Sequence, residues 1–335
     1  MAGGKWAQKN QIGGETTAGT AVAADTIWRG MGKMLKDDRK VTIVEEILGI
    51  AIPSDRSYIA ELGAVWAMSP TPATFEQVNH IFEAGIKLVG TGAADSTGSG
   101  KIYAYPVGKT SLNTIKTYTI ESGDNQQAEE AEYMFVTDFT ITADPKKSVM
   151  VSSNWFGRQS TNASFTGALT APTVEEVLPK GAVYIDTVGG TYGGTAVSQT
   201  LLKYTIKVQT GWRAKWTIDN GQLYFDFHYF DFDSYKAEVE VTYEHNATAV
   251  AEKAAFRAET PRLLRVQFAG STLTTAGNFT TKLLRLDMPI KYTEMDALDS
   301  DNGNSILKFK AFSGYNETAA EALTATVINE LANVP

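Results

Sequence analysis

The sequence predicts a mainly β protein with few short helices, built as two β-sandwich domains that each carry a flanking helix. Three observations lead there: a long alternating hairpin between Glu132 and Gln159, a composition rich in Thr, Ala, Gly, Tyr and Phe, and an order of elements that recurs in the second half of the chain.

The hairpin follows an acidic, amide-rich bend, Glu121-Ser-Gly-Asp-Asn-Gln-Gln-Ala-Glu-Glu130, and goes out as Glu132-Tyr-Met-Phe-Val-Thr-Asp-Phe-Thr-Ile141. It turns at Asp144-Pro145-Lys146-Lys147 and returns as Ser148-Val-Met-Val-Ser-Ser-Asn-Trp-Phe-Gly-Arg-Gln159. Read as a regular strand, Tyr133, Phe135, Phe139 and Ile141 share one face and Met134, Val136, Asp138 and Thr140 the other.

Ahead of it, residues 1–30 are rich in Gly, Thr and Ala without a clear period and read as an extended arm that orders against a neighbour. Val41 to Ile50 and Ala60 to Met68 read as strands, the second placing Leu62, Ala64, Trp66 and Met68 together. A helix follows, with Thr74 as N-cap, Gln77 completing a capping box, Phe75, Val78 and Phe82 along one side and Gly85 at its end. Strands at 86–89, 102–107 and 114–120 flank a Gly/Ser/Thr stretch, 90–100, that reads as a mobile loop.

The Thr/Ala/Pro-rich segment 160–179 reads as the connection between halves. Beyond it, Tyr204, Ile206 and Val208 alternate with polar residues, as do Trp212, Ala214, Trp216 and Ile218, and Asp219-Asn220-Gly221 signals a turn. Strands at 223–232 and 236–243 lead to a helix at 248–259 that stops before Pro261. A strand at 262–268, a hairpin of 282–291 and 306–312 around Asp299-Ser-Asp-Asn-Gly303, and a strand at 323–327 complete the series. Phe312-Ser-Gly-Tyr315 answers Trp155-Phe-Gly-Arg158. The shared order implies an internal duplication, with an arm at 1–30, one domain at 31–165 and a second at 166–335.

A length of 335 residues is enough for two cores, and a charged fraction of 20% against 43% hydrophobic places the chain among globular proteins. The absence of cysteine excludes disulfides and thiolate metal sites. No run is long and apolar enough for a membrane helix, and the start of the chain lacks the apolar core of a signal peptide, so a cytoplasmic origin is expected. A net charge of −8 argues against tight wrapping of nucleic acid but suits a surface past which DNA slides.

Chemical motifs fail on spacing. Asp226, His228, Asp231 and Asp233 would point to opposite strand faces, and His80 and His245 stand alone. In Asp299-Ser-Asp-Asn-Gly303 the glycine comes one place early for a calcium loop, and Lys310 stands where the bidentate Glu belongs. Gly90-Thr-Gly92 and Thr97-Gly-Ser-Gly-Lys101 are incomplete as dinucleotide and phosphate loops. No enzyme, cofactor or metal is expected. The aromatics of 212–243 are interleaved with acids rather than with the bases that a nucleic-acid platform needs.

The bend and hairpin 121–159, the arm with Gly13-Gly-Glu-Thr-Thr17, Ala182-Val-Tyr-Ile-Asp186 before Gly189-Gly-Thr191, and the ending Thr326-Val-Ile-Asn-Glu330 together make the chain similar to the major tail tube proteins of long-tailed bacteriophages. That resemblance implies sandwich domains whose inner-sheet strands join those of their neighbours into a ring-shaped barrel. Stacked rings would then form a hollow tube that holds a tape-measure protein, meets tail terminator and tail tip proteins, and conducts double-stranded DNA without specific binding. It also implies a virion protein, assembled in the host cytoplasm; the family's six domains per ring become three chains if each carries two. The alternatives are the inner tube of a contractile tail or injection device, a carbohydrate-binding β-sandwich module, and a β-rich enzyme. Within the tube reading, Glu238, Glu240 and Glu244, on the polar side of the strand whose other side is Ala237, Val239, Val241 and Tyr243, are candidates to face the lumen. Gln126, Gln127, Glu129 and Glu130 are candidates for contact between rings, a role shared with the arm.

Overall fold

Alternating burial along the longest strands sets the architecture, as in Leu201–Lys215, where Tyr204, Ile206 and Val208 are buried between exposed or half-buried neighbours. The computed structural model describes residues 3–30 and 33–334; strand makes up 49% of the chain and helix 7%, so the protein is mainly β as expected. The first half comprises β1 (Lys9–Gly14), β2 (Thr26–Ile27), β3 (Lys36–Asp37), β4 (Lys40–Ile43), β5 (Ser57–Glu61) and β6 (Ala64–Pro72). Helix α1 (Val78–Gly85) follows, then β7 (Ala93–Ala94), β8 (Lys101–Pro106), β9 (Tyr118–Gly123), β10 (Ala128–Ala143), β11 (Met150–Gly157) and β12 (Ser160–Ala163). The second half has β13 (Gly181–Thr187), β14 (Ala196–Val197), β15 (Leu201–Lys215) and β16 (Phe227–Glu244), then α2 (Ala247–Arg257). It ends with β17 (Arg262–Thr272), β18 (Thr281–Met295), β19 (Asp299–Asp301), β20 (Asn304–Ser313) and β21 (Thr324–Asn329).

All pairings are antiparallel. The main sheet runs β3-β6-β11-β10-β15-β16-β20-β18-β17-β13-β14, with β21, β8 and β7 added beside the first half of β18. The first half of β10 belongs to a second sheet, β2-β1-β9-β10-β12. Among the described residues no pairing joins the ends of either sheet, so neither closes into a barrel. One hydrophobic cluster runs from Ile12 through Trp66, Phe139 and Val208 to Leu284 and Val327, crossing the middle of the sequence without a gap.

The two halves share more than element order. Adding 156 to the numbers of β10 and β11 turns Val136↔Trp155, Asp138↔Asn154 and Phe139↔Ser153 into Tyr292↔Ala311, Glu294↔Lys310 and Met295↔Phe309, the pairs that β18 and β20 make. The register shift falls at the same rung in both hairpins, across residue 137 and across residue 293. Ala64↔Gly157 and Trp66↔Trp155 correspond likewise to Ala237↔Ser313 and Val239↔Ala311. A β-bulge changes which side chains face the core, so a shared bulge and register carry the same in-and-out pattern through both halves.

That bulge corrects the reading of 133–141 as one regular strand. Met134 and Val136 pack into the main core with Phe139 and Ile141, whereas Tyr133 and Phe135 turn to a separate aromatic cluster with Trp212 and Phe225. The expected arm is also corrected. Residues 1 and 2 lie outside the described residues, but Lys9–Gly14 pairs with β9 over six rungs and Glu15 is buried. Its strand was hidden because Asn10, Gln11, Gly13 and Gly14 stand where a core strand usually carries apolar residues.

Thr74 closes the turn ahead of α1 rather than capping the helix, whose N-cap is Gln77: the Thr74 Oγ1 accepts the Gln77 N–H at 3.2 Å. The Gln77 side chain leaves the capping box, accepting from Arg29 N–H and donating to the Ile27 carbonyl, which fastens the N-terminal segment to the helix. The stretch 90–100 is anchored rather than mobile, since buried Asp95 accepts the N–H groups of Asn278 and Phe279 at 2.9 Å. No strand forms at 86–89, and the expected connection opens with β12, four residues paired to β10.

Candidate assembly surfaces

Two hairpins carry apolar side chains out of the core. In the first half the chain leaves the main sheet after β3, pairs only with itself as β4 and β5, and returns at β6. In the second half the distal parts of β15 and β16, Trp212–Lys215 against Phe227–Phe230, continue past a register shift beyond Thr210. Lys36↔Val65 and Asp37↔Ala64 correspond to Lys207↔Glu238 and Val208↔Ala237 under the alignment of the halves, so both hairpins rise from equivalent bases.

On the first hairpin Ile47 is 102% and Ile52 74% exposed, and Val41, Ile43, Leu48, Ile50 and Tyr58 are exposed with them. On the second, Ile218 is 104% and Phe232 84% exposed, accompanied by Leu223, Phe227 and Tyr229. Charge and turn chemistry shape these segments. Asp38 is bridged by Lys36 and Lys40 at 2.7 and 2.8 Å, Arg56 bonds Glu46 at 2.6 Å, and Gly49 and Gly221 take positive φ at the tips. Leu62 N–H donates to the Leu223 carbonyl at 3.0 Å and joins the two.

The aromatic cluster stiffens the second hairpin from beneath. Tyr133, Phe135, Phe156, Trp212 and Phe225 pack together, with the His228 ring 5.2 Å from Trp212 between centroids. Arg158, the last residue of the Trp-Phe-Gly-Arg ending, stacks 4.6 Å above Tyr133 and donates to the carbonyls of Gly19, Phe225 and Asp226. A guanidinium satisfies diverging acceptors with its fixed fork, so one side chain locks the N-terminal segment, the hairpin and the aromatic cluster together. The sequence reading missed these surfaces. The signal was the run Ile47-Leu-Gly-Ile-Ala-Ile-Pro53, too apolar for an ordinary loop and read as the end of a strand.

The strand chosen for its polar face divides as expected: Ala237, Val239, Val241 and Tyr243 are buried, Glu238 and Glu240 exposed, Glu244 half-buried. Its neighbours alter the electrostatics. Lys207 of β15 lies opposite Glu238 and Lys310 of β20 opposite Glu240, while Lys236 bridges Glu238. The face is therefore a mixed-charge ladder, not an acidic one.

Gln126 and Gln127 are exposed in the tight β9–β10 loop, where the Asp124 carboxylate accepts both their N–H groups. Glu129 and Glu130 are half-buried on β10, and Glu129 accepts the Ser160 hydroxyl at 2.7 Å. Burial pushes the Glu130 carboxyl up, helped by Glu121, Glu132 and Glu15 nearby. Burial also raises Glu132.

Asp226, Asp231 and His228 are held by local partners. Asp226 accepts Thr217 N–H, Asp231 accepts Ser234 Oγ, and His228 is enclosed by aromatic rings. No group of three or more His, Cys, Asp or Glu among the described residues is arranged to hold a metal ion. His80 is buried, its Nδ1 3.3 Å from the Tyr118 hydroxyl, which donates to Glu83 at 3.0 Å; burial lowers the imidazole to about 3. No model of a known protein family matches the chain, and a search of curated proteins returns no match.

Proposed function

We propose that this chain is a structural subunit that assembles with copies of itself into stacked rings, and that the assembly is the tail tube of a long-tailed bacteriophage. The observation that carries self-assembly is the pair of apolar hairpins raised from equivalent positions in the two halves. Contiguous apolar surface held away from the core is costly in water and marks contact with another protein. Two such projections in matching places suit a repeated contact, as between successive rings. The recurrence of one pairing register supports the division into two units, and hence three chains per six-unit ring.

The virion reading draws on the likeness of the sequence to tail tube proteins. Its partners are then the tape-measure protein, terminator and tip proteins, and DNA in transit. A mixed-charge ladder along Glu238 and Glu240 suits a lumen wall, because paired lysines and glutamates present little net field to phosphate.

Electron microscopy of the concentrated, purified protein tests the reading, with rings or tubes of uniform width expected. Ile47→Ser/Ile50→Ser/Ile52→Ser should unfold like the wild type, since these side chains are exposed, yet form single rings without stacking. A protein that stays monomeric at every concentration overturns self-assembly; a triple variant that stacks normally removes the first hairpin from it.

A further inference from the structure

Two strand joints link the units, β8 with β21 and β10 with β15, and the second of them has unfilled counterparts along β3 and along the distal part of β18. Inside the chain, β10 of the first unit pairs with β15 of the second: Asp138↔Gln209, Phe139↔Val208, Thr140↔Lys207 and Ile141↔Ile206. The equivalent of β10 is β18. Its flank is covered by β17 as far as the Arg262↔Ile290 pair; beyond that, residues 291–296 have β20 on one side and no strand on the other among the described residues. The equivalent of β15 at the start of the chain is the segment around β3, which pairs with β6 and with no other strand among the described residues.

We propose that successive chains join by repeating the β10–β15 joint, so that residues 294–296 of one copy pair antiparallel with residues 36–38 of the next. This inference rests on the self-assembly reading above and adds to it the two edges and their register. Carried over rung by rung, Thr140↔Lys207 becomes Asp296↔Lys36, Phe139↔Val208 becomes Met295↔Asp37, and Asp138↔Gln209 becomes Glu294↔Asp38.

Both edges are open, and one rung of the joint brings opposite charges together. Lys36 and Asp37 are exposed, as are Glu294 and Asp296. One edge carries Lys36, Arg39 and Lys40 with Asp37 and Asp38 among them, the other Glu294, Asp296 and Asp299, and the rung that sets opposite charges across from one another is Asp296↔Lys36. Charged edges resist indiscriminate pairing, and opposite charges directly across a rung favour the intended partner. The Glu294↔Asp38 rung places like charges together, but each has a lysine partner outside the joint: Glu294 has Lys310 at 2.7 Å, Asp38 has Lys40 at 2.8 Å. The Leu35 N–H is held by the Ser122 hydroxyl at 2.9 Å, so the joint starts at Lys36. Such a head-to-tail contact uses two different edges and closes into a ring or continues as a filament.

The absence of native cysteine makes the test clean. Lys36→Cys/Asp296→Cys and Asp37→Cys/Met295→Cys cover two consecutive rungs, one of which is the closer, non-hydrogen-bonded kind whose Cβ separation suits a disulfide. Under mild oxidation of assembled protein, at least one pair should give a ladder of covalent multimers on a non-reducing gel, whereas the single variants and the off-register pair Arg39→Cys/Asp296→Cys should not. Lys36→Glu should abolish rings and Lys36→Glu/Asp296→Lys restore them. Rings without cross-linked multimers, or single-cysteine variants that dimerise as readily, overturn the joint and leave self-assembly standing. Absence of rings in the wild type overturns both.

Discussion

Replacing Glu15 by Ala tests whether the N-terminal segment is part of the folded unit. The carboxylate is 3% exposed and accepts four hydrogen bonds: Gly19 N–H and Thr117 Oγ1 at 2.7 Å on one oxygen, Tyr133 N–H at 2.7 Å and Thr119 Oγ1 at 3.1 Å on the other. It ties the segment after β1 to β9 and to the point where β10 bends, for Tyr133 has φ 59. In the Ala variant the threonine hydroxyls can rotate to other acceptors, but the two N–H groups cannot. Each stranded N–H costs about 1–3 kcal/mol, and relief from burying the charge offsets part of the sum, so a net loss of about 3 kcal/mol is expected. Against a typical stability of about 5–15 kcal/mol this is a large shift. Glu15→Gln keeps one acceptor oxygen and should lose roughly half as much. Urea titrations followed by tryptophan fluorescence measure both, and proteolysis should open residues 15–30 first in the Ala variant. An Ala variant within about 0.5 kcal/mol of the wild type would refute the reasoning, because ordinary surface substitutions change stability by that much.

Other consequences follow from burial, space and charge. The His80 imidazole is lowered from 6.5 to about 3 in the folded chain, so its contribution is complete above pH 6.5 and is lost as pH falls toward 3. That loss should reach about 2 kcal/mol by pH 5 and be absent in His80→Gln, as urea midpoints at pH 7 and 5 will show. In Gly123→Ala the new methyl would overlap the Gln127 carbonyl oxygen in the β9–β10 loop, so unfolding should need about 1–3 kcal/mol less. Thermal melts give the difference, and an unchanged midpoint would mean that the loop yields freely. Glu238→Lys with Glu240→Lys removes the anionic half of the ladder beside Lys207 and Lys310, and should change stability by less than about 1 kcal/mol. If the face lines a lumen, virions carrying both changes should eject DNA more slowly, most of all at low salt; equal rates at every salt concentration count against that placement.

The sequence by itself determined the local events, because period and turn chemistry act over a few residues. The 132–159 hairpin, the turn that Thr74 closes ahead of α1, α2 stopping before Pro261 and the two faces of 236–244 were all legible that way. The tertiary structure decided what depends on distant partners. Lys9–Gly14 is a strand only because β9 supplies its ladder and Ile12 is the one side chain that reaches the main core. The bulge that sends Phe135 and Phe139 to different cores is set by pairing with β11, and alternation within β10 alone gives no sign of it. Lys207 and Lys310 stand opposite the glutamates on strands far away in sequence, so charge had to be read across the sheet rather than along it. The apolar hairpins were hardest to foresee: a run such as Ile47-Leu-Gly-Ile-Ala-Ile-Pro53 suits burial, and only the fold reveals that its side chains are exposed on a hairpin raised from the sheet.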